Sequence, residues 1–242
     1  MDGAKILLTG TRGYRPGFIA GNFVRLYGDK YNIVEYEDDI RDWPEKHPSY
    51  WEDFDFILHL AAMAGVRKSH EEPELFWDVN VNASKKIFDC GVPVIYASSS
   101  SIYEWWLSPY ATTKYAMEAI APKDSLGLRF HTVYGPNSRT DMLYENLVKR
   151  NVSYITDHVR DWTHVEDVCS AIDICIEKYY LIDLPAIDVG NGKPVLVQDL
   201  ADHLWPDNNL PMKEVTGERK STCADPSVLV QLGWKPKHHV LD

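Results

Sequence analysis

A chain of 242 residues, 45% of them hydrophobic, is long enough to bury a sizeable core in one large domain or one domain plus a lobe. Its 36 acidic and 25 basic side chains leave a formal net charge of -11, which argues against a general binder of nucleic acid or anionic membrane. Any anionic ligand must be met by local arginines. The four cysteines, Cys90, Cys169, Cys175 and Cys223, lack C-x-x-C spacing, so neither a zinc site nor a disulfide framework is suggested. No metal is expected, and a reducing, cytoplasmic setting fits best. The opening run "MDGAKILLTG" is too short for a signal h-region, and no segment reaches the apolar length of a membrane span, which reads as a soluble protein.

Taken in chain order, Lys5–Leu8 reads as a buried strand, followed by a glycine-rich turn and a helix from about Gly17 to Tyr27. "NIVEYE" (32–37), "FDFILHLAA" (54–62) and "VPVIYASSS" (92–100) read as further strands separated by helix-compatible sequence. "SPYATTKYAMEA" (108–119) reads as the start of a helix. "SLGLRFHTVYGP" (125–136) and "PAIDVGNG" (185–192) supply more strands, with the amphipathic helix "HVEDVCSAIDICIEKYY" (164–180) between them. Short apolar runs alternating with helices define βαβ units and a parallel sheet, so the expected fold is α/β, a Rossmann-type doubly wound sheet. From Asn191 onward Pro, Asp, Asn and Gly become frequent and the alternation fades. Residues 1–136 with 163–190 are expected to form the nucleotide-binding domain, and 137–162 with 191–242 a small substrate-binding lobe.

Gly10, Gly13 and Gly17 fall directly after a strand and before a helix. Glycines there let the backbone approach a pyrophosphate, and the helix N-terminus offers unpaired N–H groups to it. The acids Glu37, Asp38 and Asp39 follow the second strand, where a carboxylate accepts hydrogen bonds from an adenosine ribose and repels a 2′-phosphate. NAD is therefore favoured over NADP, with Arg12 and Arg15 in the turn partly offsetting that repulsion. Tyr110 and Lys114 stand four apart on one helix face, so phenol and ammonium can share a small volume. Tyr-x-x-x-Lys is also a common solvated surface pattern.

Six ordered segments together resemble the extended short-chain dehydrogenase/reductase superfamily, and within it the nucleotide-sugar epimerases. "ILLTGTRGYRPGFIAG" resembles the T-G-x-x-G-F-I-G turn with extra residues, "HLAAMAGVRKS" the H-L-A-A-x-A-G-V-R-x-S segment, and "YASSSSIYE" the serine strand ending in V-Y-G. "SPYATTK" is similar to the Y-x-x-x-K helix start, "LRFHTVYGP" to the next strand, and "RDWTHVEDV" to R-D-F-x-x-V-x-D. The H-L-A-A, A-G-V-R and T-V-Y-G-P versions, with "NSRTDM", look most like the UDP-glucuronate 4-epimerase branch. Related dehydratases carry an Asp-Glu pair where this chain has Ser100 and Ser101. That leaves 4-epimerisation or 4-keto reduction as the natural chemistries, with a non-catalytic NAD-binding module as the alternative of another class.

The resemblance implies a site. Tyr110 would act as general base, favoured as phenolate by Lys114 and a cationic nicotinamide, with Ser99 hydrogen-bonding the developing carbonyl oxygen. Lys114 would also bond the nicotinamide ribose. The cofactor would lie on Gly10, Gly13, Gly17, Phe18 and Ile19, meet Glu37, Asp39 and Ile40 at its adenosine end, and pass Leu60, Ala61, Ala62, Asn80 and Tyr134. His59 reads as structural, and Asn80 as a support for the active-site strand. Substrate would contact Arg67, Ser100, Thr132, Arg139, Arg160 and Arg219, with Arg160 on a phosphate. A homodimer is possible by analogy with relatives, which commonly pair through two helices.

The chain departs from these relatives by being shorter. Only "EWWLSP" separates Tyr103 from Tyr110, where relatives carry a long loop over the sugar, and Trp105 and Trp106 are expected to replace that cover. A whole helix-strand segment is missing after the second strand. Val215 and Thr216 stand where a second pair of basic residues is usual.

Overall fold

A computed structural model describes residues 3–11 and 17–242. In β1 (Lys5–Thr9) the residues Ile6, Leu7 and Leu8 are all buried, as a strand covered on both faces requires. The chain returns through α1 (Phe18–Tyr27) to β2 (Asn32–Glu35), which pairs parallel with one side of β1. It then crosses to the other side, where β3 (Phe56–His59) pairs with β1 from Ile6–Phe56 to Thr9–His59. This reversal places a crevice between β1 and β3 at the carboxyl edge, the ligand position of open α/β sheets.

Beyond β3 come α2 (Val66–Glu71), α3 (Pro73–Trp77), a π-helical turn over Asp78–Ala83, and α4 (Ser84–Phe88). Next are β4 (Val94–Ser99), a kinked 3₁₀ segment over Ser100–Leu107, α5 (Pro109–Ile120) and β5 (Ser125–Phe130). The serine-proline pair sets where α5 begins: the Ser108 hydroxyl accepts from Ala111 N–H, and Pro109 occupies the first turn, where its missing donor costs nothing.

"SLGLRFHTVYGP", read as one strand, divides at His131. Residues up to Phe130 stay in the main sheet, while β6 (Thr132–Tyr134) pairs with β7 (Val159–His164), which also pairs antiparallel with β9 (Pro194–Leu196). Between β6 and β7 lies α6 (Leu143–Val148). α7 (Val165–Glu177) leads to β8 (Ala186–Val189), which completes the six-stranded parallel order β2-β1-β3-β4-β5-β8. The short helices α8 (Val197–Leu204) and α9 (Ser227–Gln231) follow β9.

α1 and α7 cover one face of the main sheet through Phe23, Val168 and Ile172; α4 and α5 cover the other through Ile87 and Met117. The shortened stretch after β2 is compensated by aromatic packing. Trp43 stacks on Trp51 at 4.9 Å and meets Tyr36 at 4.6 Å, closing over Leu7 and Ile57 on that face. β2 is the outermost strand, and its residues alternate between exposed and half-buried. A third core, built on Tyr134, Leu147, Trp162 and Leu200, supports the small sheet. Among the described residues, no helix is long and apolar enough to cross a membrane.

Candidate active site

The site begins where β1 ends. Gly10 has φ +95°, and a Cβ there would fall 2.8 Å from Ala61 N and 2.9 Å from the Leu60 carbonyl carbon. Gly17 N–H donates to the Gly10 carbonyl at 2.9 Å, and a Cβ on Gly17 would lie 2.1 Å from that oxygen. Both positions need glycine because backbone occupies the space a side chain would take. Gly13, with Arg12 and Arg15, lies outside the described residues. Gly17 opens on a cavity of about 680 Å³, lined also by Phe18, Ile19, Leu60 and Ala62. Gly17, Ala62, Ala64 and Ala97 add no bulk to this lining and leave width for a flat ring system.

Two buried polar residues hold the loop after β3. His59 is fully buried between the Thr9 hydroxyl, 2.8 Å from Nδ1, and the Ser84 hydroxyl, 2.9 Å from Nε2. Burial, with Lys114 nearby, pushes its pKa down to about 3, so it is a neutral structural imidazole. Asn80, on the π-helical turn, accepts from Met63 N–H at 2.8 Å, donates to Met63 C=O at 3.0 Å and donates to the Thr113 hydroxyl at 3.0 Å. It clips the cavity wall to α5 rather than lining the cavity itself.

Ser99, Tyr110 and Lys114 all line this cavity. β4 delivers Ser99 at its carboxyl end, and α5 delivers the other two on successive turns. Lys114 is 1% exposed and donates through Nζ to the Ala97 carbonyl at 2.7 Å. Burial drives its pKa down to about 7, and Glu118, one turn further on, pulls it back toward the charged form. Burial likewise raises the Tyr110 phenol; hydrogen bonding from Ser99 and the charge of Arg139 pull against that rise. Lys114 was expected to favour the phenolate together with a bound nicotinamide. In the protein alone, its ammonium is directed at a β4 carbonyl and is itself desolvated. The neighbouring hydroxyls have other partners: Ser98 donates to Glu118, and the Ser101 hydroxyl accepts from the Ser99 hydroxyl at 3.2 Å.

A second cavity of about 710 Å³ adjoins the first, and the two share Ala64, Thr132, Arg139 and Asp141. Arg67, Arg160, His158 and Tyr154 line it. Arg160 is held by the Val159 and Lys220 carbonyls and by His158 Nδ1 at 2.9 Å; burial lowers its pKa from the ordinary guanidinium range. Glu218, which sequence reasoning did not single out, stands 3.4 Å from Arg67, 3.4 Å from Arg160 and 3.9 Å from His158. His158 and Tyr154 were also missed; nothing in their local pattern marks them, because only the fold brings them to the arginines. Arg139 extends from the exposed loop after β6 and pairs with Asp141 at 3.0 Å.

Other expected site residues lie elsewhere. The described walls of the first cavity do not include Glu37, Asp39 or Ile40. Asp39 caps a 3₁₀ turn and binds the Arg41 guanidinium at 2.6 Å, and Ile40 is buried against Leu7 and Trp43. Ala61 contributes its N–H to the Thr9 hydroxyl. Tyr134 points into the lobe core, where it packs on Tyr144 at 4.7 Å and His164 at 5.2 Å. Arg219 donates to the Ser100 carbonyl at 2.9 Å and lies over the Tyr103 ring, so this pair braces the 3₁₀ segment and lines neither cavity. Trp105 and Trp106, expected to stand in for a longer covering loop, line neither of the two cavities. Trp105 stacks on Tyr115 at 5.2 Å, and Trp106 borders a separate surface hollow with Trp77.

A doubly wound parallel sheet with a glycine turn at its switch point, and with a serine, a tyrosine and a lysine at its carboxyl edge, defines a dinucleotide-fold protein of the short-chain dehydrogenase class. The family model described as NAD dependent epimerase/dehydratase matches residues 36–187, and the chain belongs to that family. An uncharacterized protein of Methanocaldococcus jannaschii is 31% identical, over 82% of this chain and 73% of its own. A UDP-glucuronate 4-epimerase of Thermodesulfobacterium geofontis is 29% identical, over 61% of this chain and 55% of its own length. Among solved structures, MoeE5 in complex with UDP-glucuronic acid and NAD is 25% identical and superposes with a TM-score of 0.82, covering 98% of this chain and 95% of that one.

Proposed function

We propose that the protein is an NAD-dependent nucleotide-sugar 4-epimerase that acts on UDP-glucuronate or a close analogue through a transient 4-keto sugar. The observation that carries this reading is the convergence of Ser99, Tyr110 and Lys114 on one cavity that adjoins the arginine-bearing second cavity. The match to a UDP-glucuronate 4-epimerase and the fold shared with MoeE5 support it. The glycines and the cavity lining fit NAD, which Gly10, Gly17, Phe18, Leu60 and Ala62 would hold, with Lys114 available to its ribose. When bound, NAD would supply a reversible hydride acceptor for the sugar C4 hydrogen.

Tyr110 takes the proton of the sugar 4-hydroxyl and returns it after the ring has turned over. Ser99 donates a hydrogen bond to the carbonyl oxygen that forms between these steps. Arg160 and Arg67 hold the diphosphate, and Glu218 must yield its place between them when it binds. Arg139, at the junction of the cavities, faces the sugar carboxylate.

The test is incubation with NAD⁺ and UDP-glucuronate, then with other UDP- and dTDP-sugars, following the C4 epimer by NMR. Epimer should form without net NADH. Tight NAD binding with no product from any sugar refutes the enzymatic reading, and stoichiometric NADH consumption with a 4-keto sugar would instead make it a reductase. Tyr110→Phe should lower kcat by about 100- to 10,000-fold, the range for losing a positioned general base; full activity in that variant would remove Tyr110 from the role.

A further inference from the structure

Where β7 passes into α7, the rings of His164 and His238 lie 4.0 Å apart between centroids, inclined by 31°. The Glu166 carboxylate stands beside them, and one donor atom from each of the three falls within 4.8 Å of the others. All three side chains are half-buried, reachable by solvent yet held, and none lines either cavity of the candidate active site.

His164 is oriented as the N-cap of α7, its Nδ1 accepting from the Glu166 N–H at 3.3 Å, a bond that a metal on that nitrogen would replace, and the other two donors are oriented by side chains. His238 Nδ1 is 3.1 Å from Asp167 Oδ2, and Asp167 is itself 2% exposed and fixed by the Lys237 and His238 N–H groups. A carboxylate accepting from one imidazole nitrogen sets the tautomer and leaves the other nitrogen with its lone pair outward, the arrangement that orients histidines on metals. Arg25 occupies Oε1 of Glu166 at 2.8 Å and steadies the carboxylate, which has a second oxygen to give. Two imidazoles and a carboxylate are a zinc donor set that leaves one position for water. Zinc bonds of about 2.0–2.2 Å set tetrahedral ligands about 3.3–3.6 Å apart, so a separation of 4.8 Å must close through side-chain rotation, by up to roughly 1.5 Å.

We propose that His164, Glu166 and His238 bind a zinc ion that clamps the C-terminal segment to the start of α7. Cysteine spacing gave no hint of a metal because these donors are histidine and glutamate from two distant segments. The bound ion would join β7 and α7 to the segment after Trp234, whose indole already donates to Asp167 C=O and Ser170 Oγ.

The experiment uses the full chain without any purification tag, titrated with Zn²⁺ against a chromophoric chelator and, separately, with Co²⁺. One equivalent should bind, and the cobalt form should show the intense visible bands of a four-coordinate site. His238→Ala and Glu166→Gln should each weaken zinc binding at least about tenfold and bleach the cobalt bands. His239→Ala, which changes the adjacent histidine, should leave both unchanged. Circular dichroism and melting without metal verify that each variant is folded; because the two variants remove different donors, one that misfolds leaves the other to decide. Equal affinities for His238→Ala and His239→Ala, or no stoichiometric binding by the wild type, overturn the proposal.

Discussion

Replacing Lys114 by methionine tests the most unusual electrostatic feature of the molecule. An unfolded lysine titrates near 10.5, and burial holds the folded one at about 7. A folded pKa below the unfolded value means that the folded chain binds fewer protons across that interval, so stability rises with pH through it. Below about pH 7 both states carry the proton and the folded state bears the whole desolvation penalty, on the order of 5 kcal/mol. Roughly 2 kcal/mol of this is recovered between about pH 7 and about pH 9.

Methionine fills a similar volume and has no proton to lose. Its cost is the hydrogen bond from Nζ to the Ala97 carbonyl, which leaves that buried oxygen unpaired for about 1–3 kcal/mol. The variant is therefore expected to be the more stable protein near neutral pH, by about 2 kcal/mol or more, and to lose that advantage as the pH is raised. Urea unfolding of both proteins at a series of pH values measures the difference directly. Parallel stability curves across the range would refute the reasoning, since they would mean that water reaches the ammonium and leaves its pKa ordinary.

Arg139→Gln removes a charge that pulls the Tyr110 phenol down, so the ascending alkaline limb of kcat/KM should move to higher pH; an unmoved limb would separate Arg139 from the base. Asn80→Ala strands both polar groups of Met63, while the Thr113 hydroxyl keeps its bond to the Tyr110 carbonyl; the change should cost about 2–3 kcal/mol in urea unfolding and raise the KM for NAD⁺ as the cavity wall loosens. Gly17→Ala sets a methyl against the Gly10 carbonyl, with only backbone to move, and should abolish NAD⁺ binding by calorimetry at a smaller loss of stability.

The main sheet was legible because its signal is local. Each strand is a short apolar run bounded by a turn, and covering both faces allows that run to be continuous, as in the four buried residues of β3. The start of α5 was legible for the same reason, since serine and proline set it through contacts within one turn. The division at His131 was not, because nothing between Phe130 and Thr132 marks a change of sheet. The strand pairs with β8 on one side of that residue and with β7 on the other, so the break is imposed by partners more than twenty residues away in sequence.

The candidate site shows the same boundary between local and distant causes. Gly10, Gly17, Tyr110 and Lys114 sit where motif spacing put them, but the charges around them were misread, because a sequence shows which ions exist and not which are desolvated. Lys114 was read as a cation that would ease the phenol toward ionisation, whereas burial weakens its own hold on the proton. Arg219 was read as a substrate contact, yet the acceptors it meets are Ser100 C=O and Glu104, so its charge braces the 3₁₀ segment. Arg67 and Arg160 keep their place in the second cavity with Glu218 already between them. In an acidic chain this arrangement has a physical logic: the carboxylate keeps two converging guanidinium groups from repelling each other, and under the proposed function a diphosphate, with more charge and more acceptor oxygens, would take over the contact.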